Sequence, residues 1–288
     1  MKILNLNLAN QEKSDIKYSI SRFPDGEVQL VLQEFSRKNL VNVRCRITSP
    51  EELFILMQAA DILNRHEVQW NLEIYYLMSM RMDRVMDFNR PFSLKIVANI
   101  IKNLGADRIS VLDAHSRETH RLLGGFGVCD EMVVSSKEFY ELHPDMDTVY
   151  ENYQVVFPDA GAKDRYGSQY KCVCAEKVRD VATGQIQSIK ILNPELLSEN
   201  DKPILVVDDL CDGGGTFVGI AAELRKYTNK ELNIFVVHMV NLRGIENLSK
   251  TYDHVYFTDS YKDWSGFKAE FGKAVPLLPE NVTQINVV

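Results

Sequence analysis

Apolar residues recur along this chain with two different periods. Leu53, Leu56, Met57, Ala60 and Leu63 keep the three-to-four spacing of one helix face. Ser49 stands ahead of them as an N-cap, Pro50 takes the first helical position, and Glu52 completes a capping box. A second helix is predicted over 91–106 (PFSLKIVANIIKNLGA), started by Pro91 and stopped by Gly105. Compact apolar runs of strand length lie between: 1–10, 72–78 (LEIYYLM), 108–115 (RISVLDAH), 153–161 (YQVVFPDAG), 170–177 (YKCVCAEK), 203–210 (PILVVDDL) and 233–240 (NIFVVHMV). A helix over 215–227 (GTFVGIAAELRKY) follows the run at 203–210. Strands alternating with helices predict an α/β protein with mainly parallel sheets. Polar stretches at 141–152 and 193–202 separate the units. The boundary is placed in the first, giving domains 1–145 and 146–288 with similar grammar.

Composition narrows the function classes. The chain has 288 residues, 45% hydrophobic and 25% charged, with a formal net charge of −7. That balance, without a dense basic run, argues against a nucleic-acid partner. No stretch reaches the ~20 apolar residues needed to span a membrane. The alternating start reads as a strand rather than a signal peptide, so the expected location is cytoplasmic. The five cysteines fit a reducing compartment. Cys172 and Cys174 read as a buried pair of reduced thiols on one strand face, since a zinc site would need two further ligands nearby.

The chemistry collects at the ends of the strand runs. His115, Asp159, Lys177 and the pair Asp208–Asp209 each close one of them. In open α/β sheets that edge is where ligands bind. The densest case is 204–217, ILVVDDLCDGGGTF, where an apolar strand meets Asp208, Asp209 and Asp212, then Gly213, Gly214, Gly215 and Thr216. A glycine loop opening a helix presents backbone N–H groups and a favourable dipole to a phosphate, and Thr216 adds a hydroxyl. Adjacent acids suit the vicinal hydroxyls of a ribose whose 5-phosphate sits in the loop. No lysine-bearing P-loop occurs anywhere in the chain.

VVDDLCDGGGT resembles the phosphoribosyl-binding signature of type I phosphoribosyltransferases and of ribose-phosphate pyrophosphokinases (PRPP synthetases). Other segments favour the second family. RFPDGEVQLVL at 22–32 looks like its F-S-D-G-E segment, which contributes to ATP binding from a neighbouring subunit. The run 81–116, RMDRVMDFNRPFSLKIVANIIKNLGADRISVLDAHS, is similar to its R-Q-D-R to D-L-H region. FPDAG resembles S-P-D-x-G, and Lys177-Val178-Arg179 matches the catalytic K-x-R. The resemblance implies two similar type I phosphoribosyltransferase-like domains, an ATP-side first domain and a phosphoribosyl-binding second one. It implies transfer of the β,γ-diphosphate of ATP to the anomeric hydroxyl of a ribose 5-phosphate unit, releasing AMP. Lys177 and Arg179 would clamp the transferring diphosphate, on a mobile loop around Gly184. Phe23, Asp25, Glu27, Arg81, Asp83 and His115 would form the ATP site, and His115 and Asp159 the Mg2+ positions. Asp208 and Asp209 would hold the ribose hydroxyls, with Asp212, Gly213, Gly214, Gly215 and Thr216 around the sugar and phosphate. A homo-oligomer, dimer or hexamer, is implied as well.

The chain departs from that pattern in its phosphate loop. D-T-A-G-T is usual, and here Gly213 and Gly214 replace a hydroxyl donor and a methyl. Met82 stands where glutamine is common, and Lys163 where an apolar residue is usual. A roomier loop could accept a substituted phosphate, as in ADP-ribose, whose 1-diphosphate would serve NAD rebuilding. Ribose 5-phosphate and ADP-ribose therefore both stand as acceptors. A phosphoribosyltransferase and a catalytically silent regulatory homologue are the alternatives.

Overall fold

The computed structural model describes residues 1–7, 13–124, 130–131, 146–167, 171–179, 186–265 and 278–287. The chain divides into two compact units, Met1–Met132 and Val133–Val287.

The first unit begins with β1 (Lys2–Asn5), followed by β2 (Tyr18–Arg22) and β3 (Val28–Leu32). These last two form an antiparallel hairpin of their own, in which Tyr18 faces Leu32 and Arg22 faces Val28. β4 (Val41–Ile47), α1 (Pro50–Arg65), β5 (Trp70–Leu77), α2 (Ser93–Lys102), β6 (Arg108–Leu112), α3 (Glu118–Leu123) and β7 (Asp130–Glu131) complete it. The parallel sheet runs β1-β4-β5-β6-β7. The capping box forms as the sequence predicts, with the Ser49 hydroxyl accepting from the Glu52 N–H and the Glu52 carboxylate accepting from the Ser49 N–H. α2 starts two residues later than Pro91 suggests, because Phe92 keeps a non-helical ψ of 78° as N-cap. It ends at Lys102 with Asn103 as C-cap, short of the stop expected at Gly105, which takes φ +87° in the turn that follows.

The second unit contains α4 (Met146–Asn152), β8 (Gln154–Phe157), α5 (Ala160–Tyr166), β9 (Val173–Arg179), β10 (Ile186–Leu192) and β11 (Ile204–Cys211). Then come α6 (Gly215–Leu224), β12 (Leu232–Met239), α7 (Leu242–Ser249), β13 (His254–Thr258) and β14 (Val282–Ile285). The sheet order is β10-β9-β8-β11-β12-β13-β14, parallel throughout except for the β9–β10 edge pair. The polar stretches expected as loops carry structure, α4 in the first and a 3-10 turn (Pro194–Ser198) in the second. β11 sits at the centre and is buried from Ile204 through Asp209, so it holds its last residues in a fixed register against β12. The mainly parallel α/β architecture is the one the sequence pattern implies.

Among the described residues no helix is long and apolar enough to cross a membrane. Cys172 and Cys174 are both buried with their sulfurs 4.0 Å apart, the reduced pair expected on one strand face.

Candidate active site

The densest chemistry of the second unit stands at the C-terminal end of β11. Apolar Ile204–Val207 anchor the strand in the core, and the next two residues bring carboxylates to the sheet edge while keeping them buried. Asp208 is 8% exposed and Asp209 2%. One guanidinium answers both: Arg165 Nη2 donates to Asp209 Oδ1 at 2.6 Å and to Asp208 Oδ1 at 3.1 Å. The Asp209 N–H donates to Asp208 Oδ1 at 3.0 Å. Burial pushes the Asp208 carboxyl well above its ordinary range, with the charge and hydrogen bond of Asp209 adding to it. Arg165 pulls it back, and Asp159 raises it further. Two adjoining buried carboxylates resist ionising together, and one cation offsets only part of that cost.

Asp159 follows β8, the strand beside β11. It caps α5, its Oδ1 accepting from the Ala162 N–H at 3.1 Å.

Beyond β11 the chain turns through the glycine loop into α6. Gly214 is the N-cap at φ +77°, a conformation that glycine adopts without a Cβ penalty. No side chain caps this helix, so the N–H groups of its first turn remain directed at the loop. A Cβ built on Gly213 or on Gly215 would meet nothing within 4 Å. α7 braces the loop from outside: Asn241 Nδ2 donates to Asp212 Oδ1 at 3.0 Å, and Asn247 Nδ2 donates to the Gly213 carbonyl at 2.7 Å. Thr216 is half-buried in the first turn of α6.

Lys177 and Arg179 lie on β9, which continues past the strand end expected at Lys177. Pairing with β10 sets Lys177 opposite Ile189 and Arg179 opposite Ile186. That edge pairing holds the backbone extended where the sequence suggested a loop. Gly184, around which the mobile loop was expected, lies outside the described residues.

In the first unit the predicted ATP-site residues fall in separate places. Phe23, Asp25 and Glu27 form the exposed tip of the β2–β3 hairpin. The Phe23 N–H donates to the Glu27 carbonyl, Gly26 turns the chain at φ +94°, and Asp25 accepts from the Glu27 N–H. Arg81 is exposed and Asp83 half-buried in the segment after β5, with Arg84 Nε 3.9 Å from Asp83 Oδ1. His115 is half-buried after β6. Two non-glycine residues at this sheet edge take left-handed backbone, Ser79 at φ +67° after β5 and buried Asp113 at φ +41° after β6. Backbone strain of that kind persists where the surroundings hold it, and it gathers at functional sites.

Sequence reasoning missed Arg165. Its signal was weak, because its partners are 43 and 44 residues away and nothing in its neighbours marks it. Asn241 and Asn247 were missed for the same reason.

Each of the two units is an α/β domain with a mainly parallel sheet, and the second carries a glycine loop at the head of α6. Comparison with known proteins narrows this. No protein-family model matches the chain. It is 28% identical over 228 residues to the ribose-phosphate pyrophosphokinase of Maricaulis maris, covering 77% of this chain and 71% of that protein. With the Hyphomonas neptunium ribose-phosphate pyrophosphokinase it is 26% identical over 309 residues, covering 97% and 93%. With that of Pyrococcus furiosus it is 28% identical over 260 residues, covering 87% and 88%. The crystal structure of phosphoribosylpyrophosphate synthetase from Mycobacterium smegmatis shares the fold at a TM-score of 0.70 and 18% identity, over 100% of this chain and 95% of that one. The chain is a homologue of the ribose-phosphate pyrophosphokinases, a family of diphosphotransferase enzymes.

Proposed function

We propose that this chain is an ATP-dependent ribose-phosphate pyrophosphokinase. The anomeric hydroxyl oxygen of ribose 5-phosphate attacks the β-phosphorus of ATP and forms the new P–O bond. The bond from that phosphorus to the α–β bridging oxygen breaks, AMP leaves with the oxygen, and the hydroxyl proton is released. The observation that carries the reading is the buried Asp208–Asp209 pair running directly into an uncapped, glycine-lined helix start. Carboxylates on one side suit a diol, and backbone N–H groups on the other suit its phosphate.

Transfer of this kind asks for positioning and charge neutralisation more than for covalent chemistry. Lys177 supplies a point charge and Arg179 a planar fork for the moving diphosphate. Among the described residues no three His, Cys, Asp or Glu side chains gather into a cation site. Mg2+ keeps most of its water and takes only one or two carboxylates. Asp159, whose charge already reaches Asp208, fits such sparse ligation, with His115 as a second candidate. Bound there, the ion would neutralise charge on the ATP phosphates. Phe23, Asp25 and Glu27, exposed on their hairpin, would serve the ATP of a neighbouring subunit, which makes the working protein a homo-oligomer. Domains 1–145 and 146–288 then divide the labour between ATP and acceptor.

The test is AMP formation from ATP with ribose 5-phosphate present or absent. AMP should require the acceptor, and Lys177→Ala should lower turnover by orders of magnitude with an unchanged circular dichroism spectrum. Equal AMP with and without acceptor, or a fully active Lys177→Ala, would refute the proposal.

A second acceptor is favoured by one observation. Gly213 and Gly215 leave their side of the loop open, since a Cβ on either would meet nothing within 4 Å. ADP-ribose offers the same anomeric hydroxyl with a diphosphate in place of the monophosphate. If the space serves it, Gly213→Thr should depress kcat/KM for ADP-ribose by roughly tenfold more than for ribose 5-phosphate. An equal effect on both acceptors would leave ribose 5-phosphate alone.

A further inference from the structure

Among the described residues, Arg165 is the cation that joins both acids at the end of β11. Its surroundings fix it tightly. Asp159 caps the start of α5, and Gly167 ends it where a Cβ would collide with Phe157 and the Tyr150 hydroxyl. That glycine lets the last turn settle onto the β8 side of the sheet. Tyr166 stacks on Phe157 with ring centroids 6.4 Å apart, and the Arg165 guanidinium lies 5.2 Å from the Tyr166 ring centroid. The guanidinium is thus supported by an aromatic face and bonded to two carboxylates. The side chains of Arg165, Asp208 and Asp209 are 16%, 12% and 3% exposed.

The chemistry of the pair depends on this arrangement. Two carboxylates on consecutive residues repel, and in a buried site each would otherwise turn away or take a proton. A single nitrogen bonded to Oδ1 of each draws the two groups to a common point and restricts how they turn. A carboxylate accepts at two oxygens, so a group held by arginine through one of them can still receive a hydroxyl. Two such groups, gathered on one nitrogen, can each offer an acceptor to one of two vicinal hydroxyls. Without the arginine the acids remain, but their relative orientation is no longer imposed.

We propose that Arg165 is a positioning residue for acceptor recognition, locking Asp208 and Asp209 into the paired geometry that reads the 2- and 3-hydroxyls of the ribose. The proposal rests on the assignment of the two acids to the ribose diol. It gives the site a source of discrimination against deoxy acceptors: a sugar lacking one hydroxyl loses a hydrogen bond to a fixed, buried carboxylate, which costs more than losing a contact to a mobile one.

The experiment compares ribose 5-phosphate with 2-deoxyribose 5-phosphate. It measures acceptor kcat/KM by AMP release and acceptor binding by calorimetry, in the full chain and in Arg165→Gln and Arg165→Lys. The unmodified protein should prefer the ribo acceptor by roughly a hundredfold or more. In Arg165→Gln the preference should fall below about tenfold, through KM of the acceptor, with KM for ATP unchanged. Arg165→Lys should recover part of the preference, because an ammonium restores the charge without the planar geometry. A variant that loses kcat/KM equally for both sugars, keeping the ratio, would overturn the proposal and leave Arg165 a structural clamp. Should Arg165→Gln not fold, the ratio in Arg165→Lys decides: a ratio equal to that of the unmodified protein overturns it. Binding preference that depends on Arg165 in a protein making no AMP would uphold the proposal and refute the pyrophosphokinase activity. Absence of binding by either sugar would refute both.

Discussion

A Cβ on Gly244 would collide with the Asp212 carbonyl oxygen and lie 3.0 Å from the Cys211 sulfur and 3.1 Å from that of Met239. This glycine lets α7 approach the acidic loop closely enough for Asn241 and Asn247 to hold it. Gly213 differs, with open space around its missing side chain and no left-handed φ. Similar residues in the sequence thus stand in different surroundings, one packed tightly and one facing open space. Gly244→Ala is expected to cost about 1–3 kcal/mol, the usual penalty of overpacking. Gly213→Ala should be neutral or slightly stabilising, since it restricts the unfolded chain without strain. Urea midpoints of the two variants measure the difference, and equal midpoints would remove the close approach of α7 as the reason for Gly244. The placing of this loop's acids at a strand end and of its glycines at a helix start was legible in the sequence because the apolar run and the glycine turn mark both. Arg165 was not, because its meaning lies in partners that only the packing of α5 against β11 supplies.

At the scale of elements, β11 and α1 were legible because periodicity, caps and composition agree there. β4 was not read from the sequence, since VNVRCRI alternates apolar residues with Asn42, Arg44 and Arg46 as an exposed edge would. It is an interior strand between β1 and β5. Its polar side chains are tolerated because Glu73 on β5 accepts from Arg44 Nε at 2.8 Å and also from Asn42 Nδ2. The β2–β3 hairpin likewise escaped notice, although Pro24, Asp25 and Gly26 form a good turn sequence, because Ser19, Ser21 and Gln29 interrupt its apolar residues. β9 was read as ending at Lys177, past Ala175, the last apolar residue of the run at 170–177. The register with β10 carries it to Arg179, and a pairing partner beyond a separate segment leaves no trace in local composition. Strand existence was therefore readable wherever the sheet supplies its own apolar faces, and strand length wherever no neighbour extends it.

Across the whole molecule, each unit has its own apolar core, and each core encloses cysteine thiols. Cys45 is fully buried in the first, and Cys211 in the second, beneath the acidic loop. Burial pushes the Cys211 thiol from 9.0 up to about 12, with Asp212 and Asp208 adding to the shift. Burial raises Cys45 too, helped by Glu52, and Cys172 goes to about 11 by burial beside Cys174. These groups stay neutral in the folded chain where the unfolded chain has begun to ionise. Below pH 9 both states hold the thiol protons, and the full stability is present. Above pH 9 the unfolded state binds fewer protons than the native one, so stability falls with rising pH until the folded thiols ionise, near pH 11–12 for Cys172 and Cys211. The slope approaches about 1.4 kcal/mol per pH unit for each such thiol. Urea unfolding at pH 8, 9 and 10 should show a plateau and then a decline. Cys211→Ala should be less stable at pH 8 because it leaves a cavity, yet decline less steeply between pH 9 and 10. A Cys211→Ala slope identical to that of the unmodified chain would mean that this sulfur is not held neutral under the loop. Its burial would then be no part of what fixes Asp212 and the glycines in place.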